Sequence, residues 1–389
     1  MKKVCVNVCR LVLAVTFILS GYVKAVDPIG SQYKIADYLE AMHLGGMLPD
    51  FVTLSVSVVQ AAVEFCLGIF LLFAIQRRLT SRFILLIMVV MTPLTLWLAL
   101  ANPISDCGCF GDAIVLTNWQ TFWKNVVLLA CAVVVSWWPM EMFRFVSESN
   151  QWIVINYSAL FVIVTSTYCL YYLPVFDFRP YHAGVNLRQA WQQTMEGEDL
   201  PYADFFIEEA DTGEDITEQV LDERGYTFLL VSPNLELADD SRLDLLNELY
   251  EYANEHSYPF YCLTSSTPQH IRHWQEKTGA EYPFCLTDGT TLKTVIRSNP
   301  GLLLLKDGVI IRKWSHNDLP TIEEEQTVRP LEETPYGQML TDSVPKKILK
   351  LLLWFVLPLT LLTLADRTWM WTKWLRRRKT TSDSITSNN

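Results

Sequence analysis

The chain has 389 residues, half of them hydrophobic, with 13 Trp and 19 Phe, and its mean hydropathy is +0.19. Charge is unevenly distributed: between Pro174 and Pro345 there are 31 acidic and 12 basic residues, whereas the rest of the chain holds 11 acidic and 19 basic residues. This pattern indicates an apolar body with basic flanks and an acidic, water-facing body, and it argues against nucleic acid as a partner because the acidic part repels phosphate.

Six segments are apolar and long enough to cross the ~30 Å hydrocarbon core of a bilayer as helices. They cover residues 11–26, 52–75, 83–101, 122–139, 152–173 and 348–365. We therefore predict a multi-pass α-helical membrane protein whose first partner is the lipid bilayer. Its units are a four-helix bundle (1–145), a fifth span (150–175), a soluble α/β domain (176–322), a linker (323–346), a sixth span (347–366) and a basic tail (367–389).

The distribution of Lys and Arg predicts how the spans are oriented, because short cytoplasmic loops carry an excess of these residues. They cluster in four regions that alternating spans place on one side: Lys2, Lys3, Arg10, Arg77, Arg78, Arg82, Arg144, Arg367, Lys373, Arg376, Arg377, Arg378 and Lys379. We thus expect a bacterial inner-membrane protein with both termini in the cytoplasm and the large domain in the periplasm. A signal peptide ending near residues 23–25 is an alternative reading of the first span and leaves the later loops on the same sides.

Between the third and fourth spans, the sequence Cys107-Gly-Cys-Phe-Gly111 places two cysteines two residues apart. The predicted topology puts them in an oxidising compartment, where disulfides persist. Gly108 has no Cβ, so the backbone can bend enough to bring the two sulfur atoms together. A bond across so short a spacing would be strained, and strained, exposed disulfides are the ones that exchange.

The charges around this loop act in opposite directions. Residues 117–120 have the form of a capping box, so the N-terminus of the fourth span's helix would favour a thiolate, whereas Asp106 and Asp112 would oppose it. Three interpretations stay open: a redox-active pair, a static staple or two free thiols, and a Cu(I) or Zn(II) site with His43 as the histidine available to the membrane part. Our preferred reading assigns no metal and no cofactor.

The first 150 residues resemble the MauE/DoxX family of redox-associated membrane proteins. The resemblance is carried by residues 20–28, Glu64, Gly68, residues 107–111 and Asn125. It implies a four-helix membrane bundle, similar to the vitamin K epoxide reductase and DsbB type, with Cys107 and Cys109 as the redox pair. Family members are associated with methylamine utilisation, where they help mature a disulfide-rich dehydrogenase subunit. The chain departs from the quinone-linked bundles in having no membrane Cys-x-x-Cys, which argues against quinone reduction.

Glu64 is predicted near the middle of the second span, where a carboxylate is costly and usually faces the bundle interior. It is either a proton-relay or ligand site, or a protonated side chain bonded to a neighbouring helix. Because each residue of helix rises ~1.5 Å, we place it well below the outer surface and expect no direct contact with Cys107. Lys24 and Asp27, at the outer end of the first span, are expected to pair with each other or to anchor at the interface.

The acidic region alternates strand and helix patterns, which predicts an α/β layered domain. Strands are expected at 226–231, 258–263, 283–286, 302–305 and 309–314, and helices at 239–256, 268–278 and 290–297. Residues 306–308 are predicted to turn a hairpin between the last two strands.

This order resembles the thioredoxin fold over about residues 200–320. Asn299 and Pro300 match the segment where that fold places a cis-proline, and the resemblance implies that they contact an extended peptide. The slot for the fold's Cys-x-x-Cys reads Ser232-Pro-Asn-Leu235, so the domain has no nucleophile there and is expected to be redox-silent. Cys262 and Cys285 lie on separate strands and are expected to be buried free thiols.

Three functions follow from these features. The preferred one is a MauE/DoxX-type membrane protein whose Cys107/Cys109 pair supports thiol–disulfide redox or maturation of an extracytoplasmic protein partner. The alternatives are a non-catalytic scaffold whose thioredoxin-like domain binds proteins, and small-molecule transport through the bundle with Glu64 as its ionisable centre. Whether the chain is an enzyme with thiol–disulfide oxidoreductase-like activity, and its oligomeric state, are left open.

Overall fold

The structure, a computed structural model, describes residues 1–104, 106–198, 200–322, 329–339 and 344–386, without the side chains of residues 344 and 374–386. The chain divides into two compact units. One comprises Met1–Thr167 and Ser343–Asn389, and the other comprises Tyr168–Asp342. The basic residues 376–379 lie within a helix, but their side chains are outside the described part.

Six helices among the described residues are long and apolar enough to cross a membrane. They are Lys2–Val26, Asp50–Phe73, Arg77–Ala101, Asn118–Trp137, Glu148–Tyr171 and Pro345–Lys373. Each corresponds to one of the six predicted segments, so that prediction is confirmed, with most helices extending beyond the apolar run by a few residues. The chain is a membrane protein.

Four of these helices form the N-terminal bundle: α1 (Lys2–Val26), α3 (Asp50–Phe73), α4 (Arg77–Ala101) and α5 (Asn118–Trp137). Helix α1 packs against α3 and α5, and α4 packs against α5. Two glycines let α1 and α3 approach closely, because a Cβ on Gly21 would overlap the backbone of Phe65 and one on Gly68 would overlap Ile18. Small residues at such contacts are typical of membrane helix packing.

The remaining membrane helices add an aromatic cluster to this unit. Helix α6 covers Gln151–Tyr171, and the last segment consists of α12 (Val344–Leu351), a π-helical turn (Leu352–Val356) and α13 (Leu357–Thr386). Phe355 of the π-helical turn lies against Phe161 of α6, with ring centroids 4.3 Å apart, and against Phe65 of α3 at 5.3 Å.

One helix of this unit was not predicted. Helix α2 (Pro28–Ala41) follows α1 after a single residue, Asp27, whose side chain accepts a hydrogen bond from the backbone N–H of Gly30 at 2.9 Å. Asp27 therefore caps α2, while Pro28 occupies the first turn, where its missing N–H costs nothing. The α2 helix packs against α3 and is too short to cross a bilayer.

The second unit is built on a six-stranded mixed sheet with strand order β1-β4-β3-β2-β5-β6. The strands are β1 (Glu208–Glu209), β2 (Tyr226–Val231), β3 (Phe260–Thr264), β4 (Phe284–Leu286), β5 (Gly301–Lys306) and β6 (Val309–Ser315). Strands β2, β3 and β4 are parallel, while β5 runs antiparallel to β2 and β6 antiparallel to β5. The five predicted strands and the β5–β6 hairpin are confirmed.

Helices flank this sheet at α7 (Leu187–Met195), α8 (Thr217–Asp222), α9 (Leu243–Glu255), α10 (Pro268–Thr278) and α11 (Gly289–Val295). The last three were predicted, whereas α7, α8 and β1 were not. The peptide bond between Asn299 and Pro300 is cis, as predicted. Cys262 and Cys285 are free and buried, also as predicted, in the apolar layers on opposite faces of the sheet.

Part of the predicted linker, residues 323–346, packs against this unit. Residues 323–328 and 340–343 lie outside the described residues. Within 329–339, Leu331 is buried in the core, and the Tyr252 hydroxyl donates a hydrogen bond to the backbone oxygen of Arg329 at 2.8 Å.

Candidate functional site

The two cysteines between α4 and α5 face each other. The sulfur atoms of Cys107 and Cys109 are 2.8 Å apart, compared with ~2.05 Å in a disulfide, and both residues are free thiols. Gly108 between them has a φ of +64°, a left-handed conformation that favours glycine. The Asp106 carboxylate accepts a hydrogen bond from the Gly108 N–H at 2.7 Å, which fixes the bend.

Helix α2 holds this loop from one side. Lys34 forms an ion pair with Asp106 at 2.9 Å, and the Tyr38 hydroxyl donates a hydrogen bond to the backbone oxygen of Cys107 at 2.9 Å. The aliphatic stem of Lys34 lies so close to Gly108 that a Cβ there would be 3.0 Å from Lys34 Cγ. Cys107 is consequently buried, with 6% of its surface exposed.

A charged pair lies on the other side of the loop, inside the bundle. Lys24 Nζ of α1 is 2.6 Å from Glu64 Oε2 of α3, and Lys24 is only 7% exposed. Ser20 Oγ accepts a hydrogen bond from Lys24 at 2.9 Å and lies 2.7 Å from both Glu64 Oε2 and the backbone oxygen of Cys109. Gln60 donates a further hydrogen bond to Glu64 at 3.0 Å.

This arrangement bears on two expectations. Glu64 forms no hydrogen bond with Cys107 among the described residues, but one serine separates its carboxylate from the backbone of Cys109, so it is much closer to the cysteine loop than its helical position suggested. Lys24 forms an ion pair with Glu64, and Asp27 caps α2. The loop enters the space between the helices, to a depth that could not be predicted from the positions of residues along each helix.

Cys109 and the charged pair line one cavity of about 50 Å³, enough for one or more water molecules. Its polar lining includes Ser20, Lys24, Glu64, Lys124 and Asn125, and its apolar lining comes from side chains of α1, α4 and α5. The ammonium of Lys124, on α5, lies 4.4 Å from the ring centroid of Phe110, the residue after Cys109.

The two thiols have different acidities as a result. The hydrogen bond with Cys107 and the ammonium groups of Lys124 and Lys24 lower the pKa of Cys109 below its usual value, although burial and Glu64 oppose this. The contact with Cys109 and burial raise the pKa of Cys107. Since the thiolate is the nucleophile, Cys109 is the sulfur suited to attack and Cys107 the one suited to resolve.

The structure also resolves the opposing charges noted in the sequence. The predicted capping box is present, with Thr117 accepting from the N–H of Gln120 and Gln120 accepting from the N–H of Thr117. Asp106 is neutralised by Lys34, so two lysines inside the bundle dominate the field at Cys109. Among the residues that the structure describes, no group of three His, Cys, Asp or Glu side chains could hold a metal ion.

In the sheet domain, both the side chain and the backbone of Asn299 form hydrogen bonds within the domain. Its side chain accepts a hydrogen bond from Ser232 Oγ at 2.7 Å and donates one to the backbone oxygen of Asn234 at 2.7 Å. Its backbone oxygen accepts from the N–H of Asp239 at 2.9 Å. The side chain of Asn299 thus bridges to the Ser232-Pro-Asn-Leu235 loop, and Pro300 is buried.

The cysteines and Glu64 were predicted from the sequence, whereas most of the residues that surround them were not. Lys34, Tyr38 and Lys124 were not singled out, and Ser20 entered only as part of a motif. A signal existed for α2, since Asp27-Pro28 is a helix start of the kind seen at N-caps. No comparable signal connects Lys24 to Glu64, because they are 40 residues apart in the chain.

These features define a class: a multi-span helical membrane protein with paired cysteines in the loop between its third and fourth spans, joined to a separate mixed-sheet domain. Residues 2–138 match the family model described as methylamine utilisation protein MauE. The match lies within the N-terminal membrane region, and it confirms the family resemblance for this part of the chain. A search of curated proteins finds no match.

Proposed function

We propose that the membrane region carries out thiol–disulfide exchange through Cys107 and Cys109 with a protein partner. The observation that carries this proposal is the approach of the two sulfur atoms to 2.8 Å in a turn flanked by lysines. A merely structural pair of thiols requires neither this proximity nor an electrostatic difference between the two sulfurs. The difference assigns separate roles to the two sulfurs.

The exchange proceeds in two steps. The Cys109 thiolate attacks one sulfur of the partner's disulfide, the partner's S–S bond breaks, and its other sulfur leaves as a thiolate that takes up a proton. Cys107 then loses its proton and attacks Cys109, which forms the Cys107–Cys109 disulfide and releases the partner's second thiolate. Two electrons pass to the partner, and the reverse sequence oxidises a partner dithiol.

Location follows from the charge pattern. We place both termini in the cytoplasm, and the cysteine loop and the sheet domain on the periplasmic side of the inner membrane. Lys and Arg cluster at the two termini and in the loops after the second and fourth spans, which is typical of cytoplasmic segments. A compartment-specific reporter fused after Gly111 tests this arrangement. Cytoplasmic activity of that reporter would remove the oxidising environment on which the proposed chemistry depends.

The sheet domain is proposed to be a thioredoxin-like, redox-silent module that binds the protein partner. Its support is the parallel β2–β3–β4 core with antiparallel β5 and β6, together with Ser232-Pro-Asn-Leu235 in place of a cysteine motif. A peptide could bind at Asn299 and Pro300 in two ways. Either the side-chain hydrogen bonds of Asn299 open, or the backbone oxygen of Asn299 accepts a second hydrogen bond beside the one from Asp239. The family name of the membrane region suggests a partner connected with methylamine utilisation.

Trapping in cells tests the exchange. A Cys107→Ser variant lacks the resolving sulfur, so it should accumulate a mixed disulfide through Cys109, whereas Cys109→Ser should accumulate none. Cys5→Ser, an exposed thiol elsewhere on α1, is the matched control and should behave as the wild type. If both loop variants retain wild-type function and trap no partner, the non-catalytic scaffold is the better account, and its activity should then depend on the surface around Asn299.

A further inference from the structure

The charged pair in the bundle is unusual for its location. Lys24 and Glu64 belong to two membrane-spanning helices, and their side chains are 8% and 14% exposed. Ionisable groups within membrane helices are costly and are typically retained for function. The contact between α1 and α3 already has close packing at Gly21 and Gly68, so the pair is an addition to an interface that small residues hold together.

Cys109 lines the same cavity as this pair. Ser20 contacts Lys24, Glu64 and the backbone oxygen of Cys109, and Lys24 lines the same cavity as Cys109. The other charged or titratable groups around the sulfur pair are Lys124 from α5, Asp106 from the loop with its partner Lys34, and Tyr38 from α2. Lys34 is paired with Asp106, so Lys24 and Lys124 supply the positive charge at Cys109.

We infer that Lys24, oriented by Glu64 and Ser20, is a positioning residue that holds a positive charge beside the Cys109 sulfur and thereby selects Cys109 as the attacking thiol. This inference rests on the proposed thiol exchange and assigns the role of the membrane-buried pair in it. Glu64 holds the ammonium in place through the ion pair. Ser20 connects the pair to the Cys109 backbone, so the positive charge stays beside the sulfur.

The test is the pH profile of Cys109 alkylation. The full-length protein in detergent is reacted with iodoacetamide across pH 5–10, and mass spectrometry assigns the label to Cys109 or Cys107. Lys24→Met should move the alkylation midpoint to higher pH and slow labelling of Cys109 at pH 7 by about tenfold, the ratio for one pKa unit. Lys24→Arg should restore the wild-type profile. Lys3→Met, the same change at the opposite end of α1, should have no effect.

A charge-swapped double variant, Lys24→Glu with Glu64→Lys, separates positioning from a purely structural role. It keeps an ion pair between α1 and α3 but places the negative charge where Lys24 was, so the midpoint should shift upward as in Lys24→Met. If Lys24→Met fails to fold, the swapped variant still tests whether the charge at position 24 sets the reactivity of Cys109. A wild-type profile in the swapped variant would overturn the inference, because helix pinning would then set the reactivity.

This experiment needs no protein partner, so it can fail independently of the proposed function. An unshifted profile in Lys24→Met and in the charge swap, combined with mixed-disulfide trapping through Cys109, would leave thiol exchange standing and remove the role of Lys24. A shifted profile without trapping would remove the proposed thiol exchange and leave the effect of Lys24 on Cys109 standing.

Discussion

At the scale of single residues, the two thiols of the loop are distinguished by their neighbours. Cys107 is enclosed by α2, whose Tyr38 donates to its backbone, while Cys109 adjoins the cavity with Lys24 and Lys124. Neighbouring cations favour the thiolate of Cys109, whereas the contact with Cys109 and burial disfavour the thiolate of Cys107. A sequence motif that is symmetric in its cysteines therefore becomes asymmetric in its chemistry.

Gly108 makes this arrangement possible, and its substitution should separate the sulfurs. Gly108→Ala places a Cβ on a residue with φ of +64° and only 3.0 Å from Lys34 Cγ. A left-handed conformation costs a non-glycine residue about 1–2 kcal/mol, so diamide-driven formation of the Cys107–Cys109 disulfide should slow by about 5- to 30-fold. Gly46→Ala, with φ of +74° and open space around it, is the control. Equal oxidation rates in the two variants would show that the bend is not needed.

At the scale of elements, α2 is the part of the site that the bundle helices do not provide. It begins at a cap formed by Asp27 and brings Lys34 and Tyr38, four residues apart, to the same side of the helix. Both side chains contact the cysteine loop. The loop conformation thus depends on a helix outside the membrane spans.

Loss of the Lys34 contact should loosen the loop. Lys34→Met removes the ion pair with Asp106, which is partly exposed, and pairs of that kind contribute about 0.2–1 kcal/mol. We expect alkylation of Cys107 to become about 1.4- to fivefold faster. The double variant Lys34→Met/Asp106→Asn should be no faster than the single one if the pair acts as a unit. Additive effects would contradict that, since the two residues would then hold the loop separately.

Elements with strong local signals were predictable from the sequence, and the contacts between them were not. The six spans follow from hydropathy and the strands at 226–231 and 302–305 from continuous apolar runs. Helix α8 and strand β1 are too short for a periodic pattern to identify. The cysteine pair was predicted because its residues are two positions apart in the sequence, whereas Lys24 and Glu64 meet only through the packing of α1 on α3.

At the scale of the whole molecule, the two units differ in the charged groups that they bury. The membrane unit buries one ion pair beside its cysteine loop, while the acidic sheet unit buries a cluster in which Asp177 lies between Arg179 and Lys313. Lys313 is on β6 and also donates to the backbone oxygens of Tyr181 and Val295. This cluster ties the segment that enters the domain to its edge strand.

The cluster should make the sheet unit sensitive to acid. Burial would raise the pKa of Asp177, but Lys313 and Arg179 lower it well below its usual range. Because the folded-state pKa lies below the unfolded value of about 3.9, the stabilisation is present above that value and is lost as pH falls through the folded pKa. Asp177→Asn leaves two buried cations without their carboxylate, a loss of about 3–5 kcal/mol at neutral pH.

Pulse proteolysis of the full-length protein in urea measures the stability of the sheet unit in each variant. Asp177→Asn should unfold at lower urea at pH 7 and should lose less additional stability between pH 5 and pH 3 than the wild type, because its side chain does not titrate. Asp240→Asn, which removes an exposed pair with Lys277, is the matched control and should follow the wild type. A wild-type acid profile in Asp177→Asn would mean that the cluster does not govern the pH response. The segment around Asp177 would then be held to β6 by backbone contacts such as the Gly184–Ile310 hydrogen bond.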